Sequence, residues 1–203
     1  RHWLDYGFWY DTKKQTPKIV RNLILVAAMG PPGGGRSEIS ARLMSRFNVI
    51  HVTFPNESQI KRIFGTLLSQ KLQDFEDDVK HLADVITQAT LEIYDSIAAI
   101  LLPTPTKSHY IFNLRDISKV FQGLLQASPA GYDSPEPMIK LWVHECFRVF
   151  HDRLNDEKDR IWFKNLISEK LVSLFGISWA KLYKHNLLPT LFGDFINPNP
   201  DER

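Results

Sequence analysis

From Pro55 onward the apolar residues recur at helical spacing in five successive stripes, and nothing else constrains this chain as tightly. Ile60, Ile63, Phe64, Leu67, Leu68 and Leu72 form the first. Leu82, Ile86, Ala89, Ile93 and Ile97 form the second, and Leu114, Ile117, Phe121, Leu124 and Leu125 the third. Met138, Leu141, Trp142, Cys146, Val149 and Phe150 follow, and Ile161, Trp162, Leu166, Leu171 and Leu174 close the series. Apolar side chains three and four apart share one face of a helix, so each stripe predicts an amphipathic helix that buries that face. Proline-bearing breaks at 102–108 and 128–137 separate them. The tail from Pro189 reads as loop.

The first 54 residues have a different character. Residues 1–18 are aromatic and charged, with Trp3, Tyr6, Phe8, Trp9 and Tyr10 and no clear period. Residues 20–29 form a nearly continuous apolar run, which predicts a strand buried on both faces of a parallel sheet. Residues 30–35, Gly-Pro-Pro-Gly-Gly-Gly, must be a loop, since neither helix nor strand tolerates that composition. Ser37 then suits a helix N-cap, with a short helix to about Phe47. Residues 49–54 alternate and predict a second strand.

Composition narrows the function classes. The 203 residues are 43% hydrophobic and 24% charged, enough for a core and too apolar for a disordered chain. A net charge of +2 argues against a strongly basic nucleic-acid binder. No uninterrupted apolar run approaches the roughly 20 residues of a membrane span; residues 97–102, for one, stop at Pro103. One cysteine, Cys146, excludes an internal disulfide framework and suits a reducing compartment. The start at Arg-His-Trp, without Met or a signal-peptide pattern, leads us to expect a piece of something larger.

Few residues offer chemistry. Residues 30–37 match the phosphate-binding pattern G-x-x-x-x-G-K-[ST] except that Arg36 stands where Lys is required. Backbone amides, a helix N-terminus and the Ser37 hydroxyl would suit a nucleotide phosphate and magnesium, but Arg for Lys is not a conservative exchange. A phosphate-loop enzyme also needs a later strand ending in an acid, and residues 49–54 run into Pro-Asn. A glycine-rich connection is the alternative. Arg42 and Arg46, four apart, share a helix face and would point cations at a phosphate or at solvent. Arg115 falls in the first turn of a predicted helix, where the dipole disfavours a cation, which suggests an anion partner; Asp116 is one candidate. His144, Cys146 and His151 have poor metal-ligand spacing and read as a core cysteine with surface histidines. Residues 74–78, rich in acids, read as a solvated turn. No Ser/His/Asp or Cys/His signature is present, and the five tryptophans fit core packing.

Several strings, in order, resemble the AAA+ modules of dynein heavy chains. They are Val26-Ala-Ala-Met-Gly-Pro-Pro-Gly-Gly-Gly-Arg36, Ser40-Ala-Arg-Leu-Met-Ser-Arg-Phe-Asn48 and Phe54-Pro-Asn-Glu-Ser-Gln-Ile-Lys-Arg-Ile-Phe64. Tyr110-Ile-Phe-Asn-Leu-Arg-Asp-Ile-Ser-Lys-Val-Phe-Gln-Gly123 and Leu141-Trp-Val-His-Glu-Cys-Phe-Arg-Val-Phe-His-Asp-Arg-Leu154 continue the series, and residues 1–11 join it. The third module of an axonemal outer-arm chain is the nearest resemblance, particularly at residues 102–110.

The resemblance implies a fold and roles. Residues 1–54 would be the C-terminal part of the large α/β subdomain, a remnant of its parallel sheet. Residues 55–203 would be the all-α lid and a linker toward the next module, so the chain would be mostly α overall. Residues 30–36 would follow the sensor I strand instead of forming a phosphate loop, with Gly30 at the sensor I position, where AAA+ proteins usually carry a polar side chain that positions water. Arg115 would be sensor II, on the γ-phosphate of its own module's nucleotide. Arg42 or Arg46 would be the arginine finger reaching the preceding module's nucleotide; related sequences carry a second Arg where this chain has Ser45. Ile60 and Ile63 would pack on adenine. The implied cofactor is ATP or ADP with Mg2+. The implied partners are the neighbouring ring modules, microtubules, and intermediate and light chains, in the cytoplasm, cytoskeleton and ciliary or flagellar axoneme, with no nucleic acid or membrane. Lacking the upstream phosphate loop and catalytic acid, the chain alone would not hydrolyse ATP. The rival readings are a degenerate phosphate-loop enzyme using residues 30–37, and a helical scaffold module.

Overall fold

The computed structural model describes residues 1–31, 38–184 and 188–193. They divide into two compact units, Arg1–Phe54 and Pro55–Arg203.

In the first unit, α1 (His2–Tyr6) ends at Gly7, whose φ of 75° lies in the left-handed region and lets its N–H return to Trp3 O at 2.7 Å. Two short strands follow, β1 (Phe8–Tyr10) and β2 (Pro17–Ile19), paired antiparallel with Trp9 opposite Lys18. Asp11 organises their turn. Its carboxylate accepts Lys13 N at 2.9 Å and Lys14 N at 3.0 Å and pairs with Lys18 at 2.6 Å. The Lys18 contact, helped by those amides, holds the Asp11 carboxyl below its ordinary range.

Both strands expected from the apolar runs are absent among the described residues. Residues 20–29 and 49–54 form neither helix nor strand, and Ile24 and Val26 are 87% and 92% exposed. An apolar segment becomes a strand only when neighbours take its amides and carbonyls; among the described residues only Val20 is so held, donating to Gly7 O and accepting from Trp3 Nε1. The short helix is α2 (Ala41–Met44), extended by turn bonds from Arg46 N and Phe47 N. Ser40, without a side-chain cap bond, precedes it; Ser37 lies outside the described residues.

The described residues of the second unit form helices and loops. Its long helices are α3 (Glu57–Lys71), α5 (Leu82–Ile100), α6 (Leu114–Leu124), α7 (Pro135–Val149) and α8 (Glu157–Phe175), one for each stripe. Short helices α4 (Asp77–Lys80) and α9 (Trp179–Tyr183) and 3-10 turns at Leu72–Asp74, Pro129–Gly131 and His151–Arg153 lie between and beyond them. The proline break near 135–137 ends inside α7, because Pro135 opens the helix at a position whose N–H has no partner to lose. The sequence offered no stripe for α9; Ser178 caps it by accepting Lys181 N.

Helix α5 packs against α3, α4, α6, α7 and α8. Its Ile86, Ala89, Ile93 and Ile97 are fully buried, as are Leu68 of α3, Met138, Trp142 and Cys146 of α7, and Phe163, Ile167 and Leu171 of α8. Each large aliphatic or aromatic side chain so buried contributes about 1.5–3 kcal/mol. The core also closes its polar ends. Trp142 Nε1 donates to Thr90 Oγ1 at 2.9 Å, and Thr90 donates to Ile86 O at 2.7 Å. The mostly α fold expected of the chain is the fold observed, with the sheet reduced, among the described residues, to one antiparallel pair.

Candidate functional site

Arg42, Arg46 and Arg115 differ in their surroundings. Arg115 lies in the first turn of α6, where Asn113 and Asp116 form a reciprocal capping box. Asn113 Oδ1 accepts Arg115 N at 2.9 Å, and Asp116 Oδ2 accepts Asn113 N at 3.0 Å. Asp116 is buried, and Arg153 pairs with its other oxygen at 3.0 Å. Asp116 is thus engaged by Arg153 and a backbone amide. The Arg115 side chain is exposed and makes no hydrogen bond or ion pair with any described residue.

Arg153 ties the segment before α6 to the turn that follows α7. Its guanidinium donates to His109 O at 3.0 Å and Ile111 O at 3.1 Å and lies 4.9 Å from the centre of the Phe112 ring. Lys107 pairs with Asp159 at 2.5 Å and Asp156 at 3.1 Å, and Tyr110 Oη donates to Asp159 at 2.9 Å. The two carboxylates raise the Lys107 pKa, which keeps the ammonium charged across the physiological range. Nothing local in the sequence announced Arg153 or Lys107. Their partners lie 37 to 52 residues away, and only the position of Asp116 three residues after Asn113 carried a signal.

In the first unit, Arg46 Nε pairs with Asp5 Oδ1 at 2.7 Å, and Arg1 Nε takes the other oxygen at 2.8 Å. The Arg1 hydrogen bond holds the Asp5 carboxyl below its usual range, with help from the Arg46 charge. Arg42 contributes only its backbone carbonyl, to Arg1 at 3.1 Å and to Ser45 Oγ at 3.1 Å. Its side chain has no partner among the described residues. The shared face of Arg42 and Arg46 therefore splits into one engaged cation and one free cation.

The remaining candidates fall as follows. Gly30 is exposed, in neither helix nor strand, and residues 32–37, including Arg36 and Ser37, lie outside the described residues. Ile60 is 5% exposed in the helical core, whereas Ile63 is 53% exposed. Cys146 is fully buried, as expected. His144 is not on the surface: it is 7% exposed, beside buried Glu145 and 5.6 Å from the Phe192 ring. Its place on α7 turns it inward although it lies off the apolar stripe, and burial depresses its pKa. Among the described residues, no three His, Cys, Asp or Glu side chains are grouped to hold a metal ion.

Two family models match. "P-loop containing dynein motor region" covers residues 1–55, and "AAA+ lid domain" covers residues 86–177. The chain is 56% identical over 196 residues to human dynein axonemal heavy chain 2, covering 97% of this chain and 4% of that protein. It is 46% identical over 200 residues to the Chlamydomonas reinhardtii dynein-1-beta heavy chain of the flagellar inner arm I1 complex, covering 98% of this chain and 4% of that protein. To human dynein axonemal heavy chain 6 it is 40% identical over 202 residues, covering 100% of this chain and 5% of that protein. The chain thus spans only about a twentieth of the length of these curated relatives. Matches that run through both structural units, to the same proteins and over nearly every residue, establish that this chain belongs to the dynein heavy chain family.

Proposed function

We propose that this chain serves in the AAA+ ring of an axonemal dynein heavy chain, as part of the third module, and supplies cations to two nucleotide sites. Residues 1–54 act as the end of the large subdomain and residues 55–203 as the lid and the linker toward the next module. Arg115 acts as sensor II on the γ-phosphate of its own module's ATP. Arg42 is the arginine finger toward the preceding module, in preference to Arg46, which is engaged by Asp5. The observation that carries the reading is the exposed, unpaired Arg115 guanidinium at the head of a lid helix whose own carboxylate, Asp116, is engaged elsewhere.

The chemistry is electrostatic. Phosphoryl transfer needs positive charge on the γ-phosphate, and a finger supplied across a module boundary accelerates it about 10³- to 10⁵-fold. Two free guanidiniums fit phosphate oxygens, not a metal; bound ATP brings its own magnesium. Hydrolysis at each site removes the γ-phosphate that its arginine touches, Arg115's in its own module and Arg42's in the preceding one, so the lid or the neighbouring module is released to move. Gly30 brings no side chain to the sensor I position, which fits slow turnover or a regulatory role. Of the two isoleucines, Ile63 has surface to offer an adenine ring. The parent would step on microtubules in a cilium or flagellum, with intermediate and light chains as further partners. The arm in the name of one relative is the inner one, and we read this chain likewise in place of the outer-arm resemblance.

Calorimetric titration of Mg-ATP into the 203-residue chain, with Arg36→Ala beside it, tests the placement. We expect no binding by either. Micromolar binding that Arg36→Ala abolishes would make residues 30–37 a working phosphate loop and overturn the reading. In the intact heavy chain, Arg42→Ala should lower ATP turnover more than Arg46→Ala does.

A further inference from the structure

We propose that Arg153 is the positioning residue for Arg115, holding it for the γ-phosphate; the proposal rests on the sensor reading given above. One planar guanidinium here makes three attachments to the segment that delivers Arg115. It pairs with buried Asp116, the residue after Arg115, and donates to the carbonyls of His109 and Ile111 in the strap that enters α6. Its face covers the Phe112 ring. The attachment is reciprocal, since His109 Nε2 lies 3.0 Å from Arg153 O. Tyr110, between the two anchored carbonyls, is fixed by Asp159 and by Asn155 N, which donates to its hydroxyl at 3.2 Å. Every residue from 109 to 113 is therefore tied either to the 153–159 stretch or into the α6 cap, and Arg115 leaves the first rigid turn after it.

The chemistry at the site requires this. An exposed arginine on a mobile strap would lose most of its effect to the cost of ordering it at each binding event. A pre-set one has that cost met by the fold. Arg153 also removes the competing acceptor. With Asp116 saturated by a guanidinium and a backbone amide, the adjacent carboxylate leaves Arg115 to an external anion. Only a forked, planar cation reaches a carboxylate and two carbonyls at once; a lysine keeps the charge and loses the fork.

The test is a double-mutant cycle in the intact heavy chain, read as affinity for Mg-ATPγS and for Mg-ADP. The other nucleotide sites are common to all variants and cancel in the comparison. We expect Arg115→Ala to weaken ATPγS about tenfold with little change for ADP, and Arg153→Met to do nearly the same. In the Arg115→Ala background, Arg153→Met should then change ATPγS affinity by less than about twofold, because the group it acts through is gone. Arg153→Lys, which keeps the pairing with Asp116, should fall between, and it takes the place of Arg153→Met in the cycle if that variant does not fold. Equal weakening by the Arg153 substitution in both backgrounds means a merely structural role and overturns the proposal. So does an Arg153 substitution without effect while Arg115→Ala is impaired. No effect of Arg115→Ala overturns the sensor reading itself, a distinct result.

Discussion

Gly123 and Glu145 show how closely single residues decide the packing of α6 on α7. A Cβ on Gly123 would fall on the Glu145 carboxylate, which is buried and held by Arg148 at 2.8 Å. Gly123→Ala should gain about 1 kcal/mol of helix propensity and lose more by displacing that carboxylate from its partner, for a net loss of about 1–3 kcal/mol. In a Glu145→Ala background the obstacle is gone, and the same change should be neutral or stabilising. Urea denaturation of the four proteins checks it, and a loss of equal size in both backgrounds would sink the account. His144 provides a second residue-scale outcome. Burial lowers its pKa from about 6.5, opposed by the Glu145 and Asp152 charges and aided by Arg148. The folded state therefore favours neutral imidazole. Its contribution is full above about pH 6.5 and is lost as the pH falls through the depressed folded value. Denaturation midpoints should drop as the pH falls below about 6.5, and His144→Gln should flatten the slope.

At the level of elements, the helix ends explain why the stripes became helices where they did. Helices α3 and α6 both open with a capping box, Asn56 with Gln59 and Asn113 with Asp116. Helix α8 opens on Asp156 and ends at Gly176, whose φ of 65° lets Ile177 N return to Leu171 O. Asn113→Ala should cost about 1 kcal/mol, and Asn113→Asp should restore most of it by accepting the same amide. The check is the shift in denaturation midpoint, with an unchanged denaturant slope confirming that only stability moved. The same amphipathic logic fails for residues 20–29 and 49–54. Their pattern is genuine, but a strand needs a neighbour's hydrogen bonds, and local pattern carries no information about whether one is present.

On the scale of the whole molecule, the helical unit carries a closed core while the first 54 residues keep Ile24, Val26, Ile50 and Val52 open to water. Cys146 reports on that core. It is fully buried, and burial with the nearby Glu145 charge raises its thiol pKa well above normal. It should resist iodoacetamide at pH 8 until the helical unit opens, because the thiolate is the reactive form. Residues 55–203 expressed alone should label at the rate of the full chain. Fast labelling of that piece would mean its core depends on residues outside it.

The five long helices and the buried cysteine were legible because helical periodicity is a local property of the chain; the glycine-rich reading of residues 30–35 falls mostly outside the described residues. The candidate arginines were legible only as charges. Which of them stays free was decided by contacts across 37 residues, Arg153 on Asp116, and across 41, Arg46 on Asp5. The inward turn of His144 and the loss of both expected strands were also decided in three dimensions. Sequence by itself determined which segments would be helical and amphipathic, since those follow from neighbours three and four residues away. Tertiary structure alone decided which cations are neutralised, because an ion pair depends on distance through space, and folding sets that distance between residues with no local relation to one another.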